Sequence, residues 1–208
     1  MSDTHFRRYT DLPSLIQILT NQKITLLDPA TWDDKNDSFF LSTYKEKKRL
    51  TSVLALCFTS ASETYHHWRV FAPGPSGVCI HFRGPALEAA LRNMDGMKFR
   101  KLNYLKVDAL RKKHPTTLQL PFIKRFPFKA EIEYRALWES KDTACTHLDV
   151  PISLDSITRI TLSPWLHPNL RKNVVASLKA IDGCRSIPMW RSTLTENAAW
   201  KDYGDSAT

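Results

Sequence analysis

A single α+β domain is the fold class this sequence predicts, on three observations. A chain of 208 residues with 42 % hydrophobic residues buries a substantial core and suits one domain. Short apolar runs of strand type and stretches of helical periodicity alternate irregularly along it, rather than in a regular βαβ order. No internal repeat or low-complexity linker divides it. The domain is expected over residues 1–194, followed by a polar tail at 195–208.

Read in order, "FRRYTDLPSLIQIL" passes from a short strand into a helix. Thr10 or Asp11 caps that helix, Pro13 suits its first turn, and Leu12, Leu15, Ile16 and Leu19 recur at helical spacing. "KITLLD" reads as a strand ending in the turn-forming "DPATWDDKND". "TSVLALCFTS" is a nearly continuous apolar run, which marks a central strand. A helix over about 62–72 turns Tyr65, Trp68 and Phe71 or Ala72 inward, and after the turn "APGPSG" comes the strand "VCIHF". "PALEAALRNM" forms a short helix. "ITRITL" and "SIPMWRS" read as late strands on either side of a helix in "HPNLRKNVVASLKAIDG", with Leu170, Val174, Leu178 and Ile181 in register.

Charge is unevenly placed. Residues 98–129 hold ten Lys or Arg against the single acid Asp108, a local net of +9, which is the net of the whole chain. Pro115, Pro121 and Pro127 break this segment, predicting part helix and part loop. A field so concentrated attracts polyanions, which makes Arg111, Lys112, Lys113, Lys124 and Arg125 candidates for nucleic-acid contact. Phe99, Tyr104, Phe122, Phe126 and Phe128 lie among these charges, as platforms for unpaired bases or as core aromatics would. The four cysteines form no CxxC pair, so neither a zinc site nor a disulfide framework is signalled. No run is long and apolar enough for a bilayer span and the N-terminal residues lack the apolar stretch of a signal peptide, so a cytoplasmic protein is expected.

The segment "FKAEIEYRALWES" is the most informative. As a strand from residue 128 it sets Lys129, Glu131, Glu133 and Arg135 on one face, with Ala130, Ile132, Tyr134 and Ala136 packed inward. A solvated edge strand would carry the same alternation. Together with Arg8, Tyr9 and Thr10 on the first strand, and Thr59 and Ser60 ending the central one, it makes an ordered set of polar positions.

That order resembles the ADP-ribosyltransferase superfamily, whose members place Arg or His on a first strand, Ser/Thr or Tyr on a later one, and Glu on a still later one, often as Glu-x-Glu. The chain is also similar, over roughly residues 5–192, to a family of bacterial and phage-associated domains. The matching pieces are "RRYTD", "WDDKNDSFF", "LCFTS", "HHWRVFA", "GVCIHF" and "EIEYRAL". It departs from that pattern at Ser38, where proline usually follows Asn-Asp. The resemblance implies a split mixed sheet and NAD as substrate, with no metal. In it Glu133 faces the ribose as the catalytic carboxylate and Glu131 orients or deprotonates the nucleophile. Arg8 holds the pyrophosphate, Thr59 or Ser60 braces the glutamate or ribose, and Trp68 or Tyr9 stacks on nicotinamide. The basic segment, just before the Glu-x-Glu strand, then faces the acceptor, with nucleic acid first and an acidic protein second. Hydrolysis of NAD, in a toxin or phage-defence setting, uses the same groups.

Two rivals stand beside this. One is a metal-dependent nuclease using Asp33, Asp34, Asp37 and the glutamates, although capping and turn formation already account for those aspartates. The other is a non-catalytic module that binds nucleic acid or protein through residues 98–129. By the same reasoning Thr59 and Ser60 in "TSASE" read first as helix caps.

Overall fold

The computed structural model describes residues 5–207; residues 1–4 and 208 of the expected domain and tail lie outside them. Element order is β1 (His5–Asp11), α1 (Leu12–Asn21), β2 (Lys23–Leu27), α2 (Lys35–Lys48), β3 (Ser52–Thr59), α3 (Tyr65–Phe71), β4 (Gly77–Arg83) and α4 (Gly84–Arg92). Then come β5 (Met97–Lys101), β6 (Asn103–Leu105), α5 (Val107–Lys112), β7 (Ile123–Arg125), β8 (Glu133–Ser140), β9 (His147–Pro151), β10 (Ile157–Leu162), α6 (Pro168–Lys179), β11 (Met189–Arg191) and α7 (Ala198–Asp205). The fold is α+β with a mixed sheet.

Among the described residues nine strands join in the order β11-β10-β4-β1-β3-β2-β9, with β8 on β3 and β5 on β8. β10 and β11 are parallel and the other pairs in this sheet antiparallel. The sheet splits at β3. β3 pairs with β8 along its length, from Ser52↔Ser140 to Thr59↔Glu133, but meets β1 only at Arg7↔Thr59 and β2 only at Leu27↔Ala55.

Alternation along β3 explains how one strand serves two cores. Leu54, Leu56 and Phe58 enter the larger core with Phe6, Leu15, Leu19, Ile80 and Phe82. Val53 and Ala55 face the other way, into a smaller core with Leu41, Tyr44, Phe122 and Leu137. α1 follows the sequence closely: Asp11 accepts from Ser14 N (2.8 Å), Pro13 sits in the first turn, and Leu15, Ile18 and Leu19 are buried, while Ile16 points outward. Gly77 is required where β4 begins, since a Cβ there would lie 2.2 Å from the Ala72 carbonyl oxygen.

Several local expectations change. "DPATWDDKND" is not only a turn, because Asp34 caps a fourteen-residue helix. The basic segment holds strand β5 on the sheet and a two-stranded parallel ribbon, β6–β7, beside it. The strand expected from residue 128 starts at Glu133; Phe126–Glu131 is a 3-10 turn, and Ile132 takes a left-handed conformation at φ 43°. Tyr65 and Phe71 of α3 are exposed, with Trp68 and Ala72 buried. Leu170 of α6 is exposed and Leu178 buried. The polar segment at the chain's end carries α7. No helix among the described residues is long and apolar enough to cross a membrane.

Candidate functional site

Where β3 parts from β1 and β2 the sheet opens into a cleft of about 880 Å3. Arg7, Arg8 and Tyr9 of β1 form one wall, Cys57 and Thr59 of β3 the back, and Glu131, Glu133 and Lys124 the opposite wall. Because directly opposed residues of antiparallel strands share a face, Arg7↔Thr59 and Thr59↔Glu133 place Arg7, Thr59 and Glu133 in one row. Arg8, one residue on, points differently and reaches through the split, donating from Nη1 to the Cys57 carbonyl (3.2 Å). The Nε of Arg7 is buried and has no hydrogen-bond partner among the described residues. His67 of α3 stacks on Tyr9, with ring centres 5.3 Å apart, and Phe71 continues this aromatic side.

The cleft floor is an ion network at the same face of β3 and β8 on which the smaller core ends. Arg135, 0 % exposed, donates from Nη1 and Nη2 to Asp37 Oδ1 and Oδ2 (2.8 and 2.6 Å), from Nε and Nη2 to Glu133 Oε1 (3.1 and 2.8 Å), and from Nη1 to the Pro121 carbonyl (2.9 Å). Lys124 of β7 donates to Glu131 Oε2 (2.7 Å) and Glu133 Oε2 (3.0 Å). Three carboxylates thus face two cations, a net of −1 when all are ionised. Trp32 covers the Arg135 guanidinium, 4.9 Å from ring centre to Cζ.

The turn bearing Glu131 is pinned from three sides. The Thr59 hydroxyl donates to the Glu131 carbonyl and accepts from Ala61 N (2.9 Å), His67 Nε2 lies 3.4 Å from the same carbonyl, and Ser60 N donates to the Ile132 carbonyl (3.2 Å). Glu133 N donates to the Tyr104 hydroxyl of β6 (2.8 Å). The β6–β7 ribbon therefore delivers both Tyr104 and Lys124 to the start of β8.

The two glutamates titrate in opposite directions. Burial penalises the charge of Glu133, but Arg135 and Lys124 outweigh it and hold its carboxyl below the ordinary glutamate range. Burial pushes Glu131 up, since Lys124 alone opposes it closely, and His66 Nε2 stands off at 3.8 Å from Oε1. Burial likewise lowers Arg8, and raises the Cys57 thiol well above its usual value with Glu133 adding to the effect. Lys124 is lifted in spite of burial by Glu133 and Glu131. Asp37 is pushed up by burial against Arg135, yet the two-pronged contact is that of a charged pair.

Of the residues singled out in the sequence, Arg8, Tyr9, Thr59, Glu131 and Glu133 meet in this cleft. Thr10 and Ser60 lie beside it rather than on its lining, and Trp68 is removed from it. Trp68 is 0 % exposed, donates from Nε1 to Glu63 (2.7 Å) and packs edge-on against Tyr9, as a core residue does. Lys124 differs from its expected place on the open basic surface: its side chain is 9 % exposed because the two glutamates draw it inward. Arg111, Lys112, Lys113 and Arg125 are exposed. Glu131 is not two strand steps from Glu133 but on a separate turn. Arg7 and His67 line the cleft without having been candidates for it in the sequence; Asp37, which the sequence offered only to a metal-dependent nuclease, lines it too, and Arg135, set by the sequence on the face of Glu133, lies buried beneath it. For Arg135 the signal was present, since an arginine two residues from Glu133 in a strand shares its face.

Among the described residues no group of three or more His, Cys, Asp or Glu side chains is placed to hold a metal ion. No family model matches the chain, and no match was found among curated proteins. Three solved structures are similar to it, each covering 92 % of this chain. They are Thermus sp. 2.9 DarT in complex with NAD+ (TM-score 0.46, 11 % identity, 96 % of that chain), with carba-NAD+ (0.45, 11 %, 97 %) and with ADP-ribosylated ssDNA (0.48, 10 %, 95 %).

Proposed function

We propose that the cleft binds NAD and that the chain is an ADP-ribosyltransferase, transferring ADP-ribose to an acceptor drawn in by its basic segment, with nucleic acid first and an acidic protein second. The observation that carries this reading is that one cleft joins a cationic wall, Arg7 and Arg8, to the paired carboxylates Glu131 and Glu133. A dinucleotide asks for both: anion donors for its pyrophosphate and negative charge against the ribose that becomes positive. The residues fit the substrate in a further respect. The Arg7 Nε has no acceptor among the described residues, and Phe71, exposed beside the buried Tyr9–His67 stack, offers flat surface for an aromatic ring.

In the reaction the C1′–N bond to nicotinamide breaks and its electron pair leaves with nicotinamide, so positive charge builds on the ribose, as in glycoside cleavage. Glu133, held ionised by Arg135 and Lys124, stabilises that charge. The acceptor's nucleophile then attacks C1′. Its proton passes to Glu131, whose raised affinity for protons suits a base and whose Oε1 is the less engaged oxygen. Water in place of the acceptor gives NAD hydrolysis by the same steps, the chemistry of an NAD-consuming toxin or defence factor.

The test is nicotinamide release from NAD by wild type and by Glu133→Gln, with and without single-stranded DNA or RNA. Loss of one electrostatic stabiliser is expected to cut turnover by about 10²–10³. A wild-type protein that neither binds NAD nor releases nicotinamide ends this reading.

A non-catalytic module remains the second reading, favoured because both Glu133 oxygens already contact cations, as in a structural network. Under it, Glu133→Gln leaves polyanion binding unchanged and NAD untouched. The nuclease reading is less well supported. Asp34 serves as a helix cap, and Asp37 and Glu133 spend their lone pairs on Arg135 and Lys124.

A further inference from the structure

A second hollow, of about 520 Å3, lies on the far side of Lys124 from the sheet split. Its walls are apolar: Phe39 and Phe40 of α2 on one side, Val107 and Leu110 of α5 on the other. Phe39 is 65 % exposed and Val107 47 %, so these side chains face an open space rather than a core. The hollow meets the cleft, since Asp34, Asn36, Asp37 and Lys124 line both. At that junction Asp34 uses only one oxygen: Oδ1 accepts from Asn36 N (3.0 Å) and Asp37 N (3.3 Å). Oδ2 is buried with no partner among the described residues. Arg125 lines the hollow, and Arg111, Lys112 and Lys113, at the end of the same α5 and just beyond it, are exposed.

We infer that this hollow is a docking site for one unpaired base of a single-stranded nucleic acid. An apolar hollow between α2 and α5, an unpartnered carboxylate oxygen on Asp34 of its lining and cations on and beside it together suit a nucleotide. The base stacks between Phe39 and α5, an N–H on its edge donates to Asp34 Oδ2, and its phosphates stay outside on Arg111, Lys112, Lys113 and Arg125. An acidic peptide would satisfy the cations without needing a ring in the hollow, and competition by poly-glutamate separates it from a nucleotide. The site deepens the transferase reading and rests on it for its purpose: the base is held where the hollow opens into the cleft, beside Lys124 and Glu131.

The experiment measures binding of end-labelled single strands of about ten nucleotides, and of a duplex of the same length, with NAD absent. Wild type is expected to bind the single strands more tightly. Phe39→Ala should weaken single-strand binding by about tenfold without changing its salt dependence, whereas Phe39→Tyr keeps it. Lys112→Gln/Lys113→Gln should instead flatten the salt dependence. Asp34→Asn preserves the helix cap and turns the free acceptor into a donor, so it should change the order of preference among dA, dC and dT strands. Equal affinity for Phe39→Ala and wild type overturns the site, as does equal competition by poly-glutamate. In a second measurement with NAD added as competitor, displacement of the strand also overturns the site, by assigning the hollow to the adenine of that substrate. Because the direct binding measurement uses no NAD, base binding that survives while NAD turnover proves absent sinks the transferase reading and leaves this site. The opposite outcome does the reverse.

Discussion

With no exposed surface, Arg135 spends all five of its N–H donors on Asp37, Glu133 and the Pro121 carbonyl, and only a planar fork can do this from one position. Arg135→Met, which leaves Asp37 and Glu133 without the cation between them, is therefore expected to cost about 3–5 kcal/mol in urea unfolding, the usual consequence of breaking a buried ion pair from one side. A loss under about 1 kcal/mol would mean that the network is looser than its geometry. His81 gives a separate prediction of pH dependence. Burial, with Arg159 nearby, lowers its pKa to about 3 from an ordinary 6.5. A depressed histidine is protonated first in the unfolded chain, so its stabilising contribution is complete above about pH 6.5 and falls as pH drops toward 3, by about 1.4 kcal/mol per unit. His81→Gln, which retains a partner for the Thr161 hydroxyl, should flatten the stability curve across that window. An unchanged slope would show that His81 takes up its proton as readily in the fold as in the unfolded chain.

At the scale of elements, the 3-10 turn before β8 and the β6–β7 ribbon set the cleft. The turn ends in Ile132 at positive φ, which costs a β-branched residue about 1–2 kcal/mol. That cost is offset by the bonds that Thr59, Ser60 and Tyr104 make to residues 131, 132 and 133. Tyr104→Phe removes the partner of the Glu133 amide, and a stability loss of about 1–3 kcal/mol is expected. If the ribbon positions Glu133 against its substrate, turnover of NAD falls in this variant while its KM changes little. A rise in KM alone would make Tyr104 a binding residue instead.

Across the whole molecule, charge and shape coincide. The segment that contains the net +9 runs from β5 through α5 to the turn at Phe126–Glu131, the stretch that borders the cleft and the second hollow. Lys124 in it is drawn inward to Glu131 and Glu133, and Lys98 pairs with Glu139; Arg111, Lys112, Lys113 and Arg125 face solvent. Replacing Arg111, Lys112 and Lys113 together by Gln should reduce the log–log salt slope for a single strand by about 2 and weaken its binding at low salt. Identical salt curves would place the polyanion elsewhere. Stability should change little, since the one ion pair involved, Arg111–Asp108, is exposed.

Strand periodicity, helix caps and the position of charge were legible along the chain because each depends on neighbours within a few residues. Asp11 and Pro13 start α1 as the sequence implies, the apolar run at 52–59 is the central strand, and Glu133 faces the cleft from a strand. What was not legible depended on partners distant in sequence. Asp37 reads as one of several turn aspartates until Arg135, 98 residues later, takes its carboxylate, and Lys124 reads as surface charge until two glutamates bury it. Arg7 rather than Arg8 stands in the row with Thr59 and Glu133, a matter of strand register, and register is decided by which strands meet and where they part.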